Sequence, residues 1–167
     1  MGLTRNLVRS FPKEVFSLVN LKVLDLDKNI IEEIPSGIDP TWSQLEELYL
    51  SNNKIGGIPD ELFPLKNVKQ LWLSNNGIVG TLPPALGMMT KLEELDLETN
   101  YFYGSIPSEI YSLVNLRNLY LMDNSLTGKF SPLISQMTGL TSLDLDTNQI
   151  SGELPTEIGL LSQLSEL

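Results

Sequence analysis

The sequence contains no cysteine and no histidine among its 167 residues. Disulfides, thiolate metal sites and cysteine nucleophiles are therefore excluded. None of the 13 asparagines begins a glycosylation motif, which together with the missing cysteines favours a reducing compartment. No apolar run approaches the roughly 18 residues of a membrane helix, and the first residues lack the basic-then-apolar order of a signal peptide. The sequence predicts no membrane span within this chain.

Positive charge is scarce, because 11 lysines and arginines stand against 21 acidic residues, giving a net charge of -10. Proteins that bind nucleic acid need concentrated lysine and arginine to neutralise the phosphates. The composition therefore argues against a nucleic-acid partner.

An asparagine recurs every 23 or 24 residues along the whole chain, and an aliphatic residue precedes each one by three positions. Each complete unit fits the pattern L-x-x-L-x-L-x-x-N-x-[ILF], as in Leu92, Leu95, Leu97, Asn100 and Phe102. This period is typical of a solenoid of leucine-rich units. The recurring asparagines are Asn6, Asn29, Asn53, Asn76, Asn100, Asn124 and Asn148.

We expect one α/β domain over residues 1–167, a solenoid that forms a curved arc. Short parallel strands should line its concave face, with the leucines inward and the residues between them outward. Asn100 and its equivalents should bond backbone groups at the turn that follows each strand. Short helical or 3-10 turns should follow Pro83, Pro107 and Pro155 on the convex face. The expected units are a partial repeat 1–20, complete repeats 21–44, 45–67, 68–91, 92–115, 116–139 and 140–163, and a truncated repeat 164–167.

The two ends both fall within the repeat. Met1 occupies a leucine position of a strand, and Leu164 and Leu167 begin an eighth unit. Terminal repeats normally carry a polar cap for solubility. Our interpretation is that the sequence is a fragment of a longer protein, and the alternative is end-to-end self-association.

The segment NYFYGSIPSEIYSLVNLRNLYL, which begins at Asn100, resembles the plant-type leucine-rich repeat. That repeat is found in receptor-like kinase ectodomains, receptor-like proteins and polygalacturonase inhibitors. The resemblance implies recognition of proteins, peptides or other ligands on the concave or lateral surface. It also implies a membrane-receptor or extracellular location, whereas the missing cysteines and glycosylation motifs favour an intracellular one, so the sequence leaves the compartment open.

The outward strand positions of the six complete units hold 18 residues, of which eight are acidic and none is basic. This enrichment predicts a docking surface for a basic protein or peptide, and the alternative is a solvated acidic face with no ligand. The eight are Asp25, Asp27, Glu47, Glu94, Asp96, Glu98, Asp144 and Asp146.

Aromatic residues share the middle outward column with these acids. Tyr49 and Trp72 stand on adjacent units, and aromatic side chains are favoured in interfaces, although stacking that protects the sheet is the alternative. The predicted ligand-binding residues are Tyr49, Trp72, Glu94, Asp96, Glu98, Tyr120, Asp144 and Asp146.

Catalysis would need a carboxylate pair such as Asp96 and Glu98, with one pKa raised in a desolvated pocket. An open polar sheet should not desolvate them, so we predict a non-catalytic binding module without cofactor or metal. The segment DLDTN matches the start of a calcium-binding loop but not the rest of it, so we do not predict such a loop. A weakly bound divalent ion at the paired carboxylates Asp144 and Asp146 is an alternative. The alternative function is a structural, self-associating scaffold with no specific concave ligand.

Overall fold

A computed structural model describes residues 2–38 and 42–167 of the chain, so the position of Met1 lies outside the described residues. Within these ranges the chain forms nine short strands and six 3-10 helices. The strands are β1 Val23–Asp25, β2 Glu47–Tyr49, β3 Gln70–Trp72, β4 Val79–Thr81, β5 Glu94–Asp96, β6 Tyr101–Gly104, β7 Asn118–Tyr120, β8 Ser125–Leu126 and β9 Ser142–Asp144. The 3-10 helices are Lys13–Ser17, Asp60–Leu62, Pro84–Met88, Ser108–Ser112, Pro132–Gln136 and Thr156–Leu160.

Six of the strands form one parallel sheet in the order β1-β2-β3-β5-β7-β9. One leucine per strand aligns with the leucine of the next strand, as Leu71 aligns with Leu95 and Leu95 with Leu119. The leucine in the centre of each strand is buried, and in β1, β2, β3, β5 and β7 its two neighbours are half-buried. The predicted inward and outward alternation is confirmed, and the outward side chains form the concave surface.

The core lies between this sheet and the 3-10 helices, which run along the convex side. Ile110, Leu113 and Leu116 recur every three residues, and all three are buried. A three-residue period suits a 3-10 helix, because residues i and i+3 then lie on the same side. The predicted solenoid, with parallel strands on one face and short helical turns on the other, is confirmed.

The recurring asparagine joins neighbouring repeats at the end of each strand. The side-chain amide of Asn100 donates to the carbonyls of Leu97 at 3.2 Å, Glu98 at 3.0 Å and, one repeat earlier, Leu73 at 3.0 Å. Its Oδ1 accepts the backbone N–H of Ile78 at 3.1 Å. The asparagine thus satisfies backbone groups that the turn leaves unpaired, as predicted. The same four contacts recur at Asn29, Asn53, Asn76, Asn124 and Asn148.

The residue before each asparagine has a left-handed backbone whatever its side chain. The φ values lie between 50° and 59°, a region that costs an L-residue roughly 1–2 kcal/mol. The stacked repeats therefore impose this conformation, since two of the seven residues are β-branched threonines. The seven residues are Arg5, Lys28, Asn52, Asn75, Thr99, Asp123 and Thr147.

A second parallel sheet, with the order β4-β6-β8, follows the turn and covers one side of the solenoid. The sequence predicted strands only on the concave face, so this sheet was missed. Phe102 of β6 is buried, whereas Tyr101 and Tyr103 point outward and are 62% and 51% exposed.

Aromatic packing stabilises the first repeats. Trp42 is 1% exposed and lies edge-on to Phe16, with ring centroids 4.9 Å apart, and to Phe11 at 6.2 Å. Edge-to-face contacts of this kind add to the free energy gained by burial. Phe11 and Phe16 are five residues apart, but Trp42 comes 26 residues later, so no local pattern indicated the cluster.

Candidate binding face

The outward side chains of the concave sheet form three rows across the strands, which we call the acidic face. Strand pairing and the backbone bonds after each strand define the rows. The first row is Val23, Glu47, Gln70, Glu94, Asn118 and Ser142. The middle row is Asp25, Tyr49, Trp72, Asp96, Tyr120 and Asp144. The last row is Asp27, Ser51, Ser74, Glu98, Met122 and Asp146. The face therefore brings together all eight residues predicted to bind a ligand.

Tyr49 and Trp72 lie next to each other in the middle row and form a ring pair. Their centroids are 4.5 Å apart and the ring planes are tilted by 54°. The Tyr49 hydroxyl donates to the Glu47 carboxylate at 2.8 Å and also contacts the side-chain amide of Gln70. Burial and the bond to Glu47 raise the pKa of Tyr49 above its ordinary value, so the phenol stays neutral. The indole N–H of Trp72 is buried and meets no acceptor among the described residues.

Asp96 and Glu98 are more desolvated than an open sheet suggested. Burial raises the pKa of Asp96, while bonds from the Ser74 side chain and the Glu98 backbone N–H partly offset that rise. Burial also raises the pKa of Glu98, and the negative charges of Asp96 and Asp144 raise it further. Our expectation that these carboxylates escape desolvation was wrong, because both side chains are half-buried in the sheet.

Asp27, in the last row, has the most strongly shifted carboxylate on this face. Burial is the main cause, and the nearby charge of Asp25 adds to it, raising the pKa of Asp27 to about 6. A bond from the Ser51 backbone N–H to Asp27 Oδ1 at 2.7 Å acts in the opposite direction. Asp27 was counted among the acidic positions but not among the predicted ligand-binding residues.

The far end of the face carries Tyr120, Asp144 and Asp146. The backbone N–H of Asp146 donates to Asp144 Oδ1 at 2.9 Å, so the turn orients that carboxylate. These side chains, with Glu166, line a shallow cavity of about 190 Å³. Across residues 2–38 and 42–167, no group of three or more acidic side chains is placed to hold a metal ion.

Basic residues lie beside the acidic face, at the start of the strands. Glu46 bonds Lys22 at 2.8 Å and Lys69 at 2.7 Å, and these two lysines hold the pKa of Glu46 down at about 2. Lys69, Lys91 and Asn67 line a polar pocket of about 230 Å³ next to this pair. Among the described residues these are the two ion pairs, and neither neutralises a carboxylate of the acidic face. This border was not predicted, although Lys22, Glu46 and Lys69 directly precede residues of the first row.

The arrangement is suited to holding a positively charged group. The carboxylates attract cations, and the ring pair offers electron-rich faces to them.

Comparison with known proteins identifies the repeat. A leucine-rich repeat family model matches residues 43–102, and a second leucine-rich repeat model matches residues 115–137 and 139–161, together more than half of the chain. The chain belongs to the leucine-rich repeat family. Mouse podocan is 36% identical over 105 residues, which cover 59% of this chain and 17% of podocan.

Solved leucine-rich repeat structures show the same fold over nearly the whole of this chain. The ectodomain of the plant membrane receptor kinase GASSHO1/SCHENGEN3 from Arabidopsis thaliana, in complex with CASPARIAN STRIP INTEGRITY FACTOR 2, has a TM-score of 0.91 and 36% identity. It matches 95% of this chain and 19% of that one. The plant peptide hormone receptor RGFR1, in complex with RGF2, has a TM-score of 0.91 and 33% identity, matching 98% of this chain and 27% of the receptor. The plant-type resemblance is therefore confirmed.

This leucine-rich repeat chain spans less than a third of each of these three relatives. The part of it that the structure describes has no helix long and apolar enough to cross a membrane.

Proposed function

We propose that this chain is a non-catalytic recognition module that binds a basic protein or peptide through its acidic face. The observation that carries the proposal is the charge of that face: eight of the 18 outward residues are acidic and none is basic. Such a surface attracts a basic partner from a distance and repels acidic ones.

The environment of the carboxylates supports this proposal. Burial and mutual repulsion raise the pKa values of Asp27 and Glu98, which means that the folded chain holds these charges against an opposing free energy. A positively charged ligand would relieve that repulsion. None of the described carboxylates of this face is in an ion pair, whereas Glu46 beside it is paired with Lys22 and Lys69.

The relatives support the class of partner. Two plant receptors with the same fold were solved in complexes, one with CASPARIAN STRIP INTEGRITY FACTOR 2 and the other, a peptide hormone receptor, with RGF2. Recognition of a protein or peptide by this chain is the function that its fold and its exposed side chains favour together.

Reversing the charge of two carboxylates, one in β5 and one just after it, tests the proposal. Glu94→Lys with Glu98→Lys places two positive charges on the face but leaves Asp96, whose Oδ1 accepts a backbone N–H, unchanged. We expect the affinity for poly-L-lysine, measured by surface binding, to fall about tenfold or more. Poly-L-glutamate should bind neither protein.

The matched control reverses two exposed carboxylates of the convex 3-10 helices, Glu61→Lys and Glu109→Lys, which changes the net charge equally. Equal losses of affinity in the two double variants would mean that only net charge matters, and the acidic face would have no special role.

A further inference from the structure

Tyr49 and Trp72 are surrounded by carboxylates on the acidic face. In the middle row Asp25 pairs with Tyr49, and Asp96 pairs with Trp72. In the first row Glu47 and Glu94 flank Gln70. Adjacent strands are about 4.8 Å apart, so each of these four carboxylates lies within one strand of a ring. The ring pair therefore has acidic neighbours on both sides and along the adjacent row.

Of these carboxylates, Glu94 is the one that is free to accept new bonds. The Glu47 carboxylate already accepts the Tyr49 hydroxyl, and Asp25 accepts the Asp27 N–H. Asp96 already accepts the Glu98 N–H and a bond from Ser74. Within residues 2–38 and 42–167, the Glu94 side chain makes no hydrogen bond or ion pair, whereas its backbone N–H donates to the Lys69 carbonyl. Glu94 lies on the strand next to Trp72, opposite Gln70, and its charge contributes to the raised pKa of Tyr49.

The rings themselves are held in a defined arrangement. The bond from the Tyr49 hydroxyl to Glu47 fixes the phenol beside the indole, at 4.5 Å between centroids. The Trp72 N–H is buried and has no acceptor among the described residues. Because that N–H is covered, a ligand meets Trp72 through its ring and not through its donor.

An electron-rich ring beside an unpaired carboxylate matches arginine better than lysine. A guanidinium group is planar, stacks on aromatic faces, and donates through a rigid fork that fits a carboxylate with two bonds. A lysine ammonium is a compact and strongly hydrated charge that gains less from stacking.

We propose that Tyr49 and Trp72 form a binding site for an arginine side chain of the partner, with the guanidinium against the rings and Glu94 accepting its N–H groups. This inference rests on the proposed function, since it names the side chain by which a basic protein or peptide is recognised.

Two probes of equal length, poly-L-arginine and poly-L-lysine, separate this site from general attraction of positive charge. The wild-type chain should bind poly-L-arginine about fivefold more tightly than poly-L-lysine, a ratio expected for one added cation–π contact. Tryptophan fluorescence gives a second readout, because Trp42 is buried and Trp72 is at the site. Emission should change with poly-L-arginine, and Trp72→Phe, which leaves Trp42 as the emitter, should abolish that change.

Substitutions then locate the preference. Trp72→Leu and Glu94→Gln should each bring the ratio of the two affinities close to one. Tyr103→Leu removes an exposed aromatic of the second sheet and should leave the ratio unchanged. Circular dichroism melting checks each fold, and if Trp72→Leu does not fold, the wild-type ratio and Glu94→Gln decide.

The outcomes distinguish the two proposals. Equal wild-type affinities for both polymers, with binding lost in Glu94→Lys, Glu98→Lys, would overturn the arginine site and leave the proposed function standing. An arginine preference that survives both Trp72→Leu and Glu94→Gln would also overturn the site. If neither polymer binds the wild-type chain, both proposals fall.

Discussion

At the scale of single residues, Asp27 makes stability depend on pH in the direction opposite to that of a carboxylate in an ion pair. Its ordinary pKa is 3.8 and its folded pKa is about 6, mainly because of burial. Between these values the folded chain binds a proton that the unfolded chain has lost. The contribution of Asp27 to stability is therefore largest below pH 3.8 and is lost as the pH rises through about 6.

Asp27→Asn removes this dependence and keeps an oxygen that can accept the Ser51 N–H. At pH 7 we expect the variant to exceed the wild type by about 1–2 kcal/mol in free energy of unfolding, after allowance for solvent screening of a half-buried group. Near pH 4 the difference should be small. Urea unfolding between pH 4 and 7 measures it, with Asp146→Asn as the control for losing one negative charge. A difference that stays constant over this range would contradict the assignment.

Glu46 makes stability depend on pH in the opposite direction to Asp27. Its pKa is lowered from 4.5 to about 2 by Lys22 and then Lys69. A lowered folded pKa contributes stability above pH 4.5 that is lost as the pH falls toward 2. The pH range over which Glu46 changes stability lies mostly below that of Asp27. Glu46 should therefore have almost no effect on the comparison of the wild type with Asp27→Asn between pH 4 and 7.

At the scale of elements, neighbouring 3-10 helices pack closely where glycine allows it. A Cβ added at Gly87, in Pro84–Met88, would meet the Glu109 carbonyl oxygen at 2.8 Å and the Glu109 Cβ at 2.9 Å, both in the next helix. A Cβ atom essentially never lies within 3.0 Å of a non-bonded atom, and part of the obstacle here is backbone. The glycine therefore sets the spacing between two repeats on the convex side.

Gly87→Ala should destabilise the chain by about 1–3 kcal/mol, because one of the two helices must shift. The matched control is Gly159→Ala, at the same position of Thr156–Leu160, where no described atom lies within 4 Å. Alanine favours a helical turn over glycine, so this control should be neutral or slightly stabilising. Thermal melting compares the two variants, and equal melting temperatures would show that the Glu109 contact can relax freely.

The elements predicted correctly from the sequence are those whose pattern lies within a few consecutive residues. Leu95, Leu97 and Asn100 lie within six residues, and their spacing alone indicates an inward strand followed by a bonded turn. The second sheet was missed because Gly80 and Gly104 weaken a strand when judged by propensity. Gly80 pairs with Phe102, and Gly104 pairs with Leu126, only because the stacked repeats bring β4, β6 and β8 into register.

The candidate site shows the same limit. Alignment of the repeats in the sequence was enough to predict that Tyr49, Trp72 and Glu94 share one face. The bond from Tyr49 to Glu47, the burial of the Trp72 N–H and the desolvation of Asp96 depend on side-chain positions in three adjacent strands. A repeat pattern therefore predicts which residues share a surface. It does not predict how deeply each polar atom is buried, because that depends on the side chains packed around it.

At the scale of the whole molecule, the acidic face acts as an extended field whose reach depends on salt. Six strands at about 4.8 Å spacing span roughly 24 Å. The screening length is about 30 Å at 0.01 M salt and about 8 Å at 0.15 M. At low salt, all carboxylates of the face should therefore attract a basic ligand together, and at physiological salt only the nearest ones should.

Asp144→Asn with Asp146→Asn tests this reach, since Asp144 lies three strands, roughly 14 Å, from Trp72. Asparagine at position 144 can still accept the backbone N–H of residue 146, so the turn should be kept. With triarginine as the ligand and Trp72 emission as the signal, we expect association to slow about twofold or more at 0.01 M salt and to be unchanged at 0.15 M. Dissociation should be unaffected, because these carboxylates do not touch a ligand bound at Trp72. Equal slowing at both salt concentrations would instead mean that the ligand contacts Asp144 or Asp146 directly, and that the arginine is bound at the far end of the face.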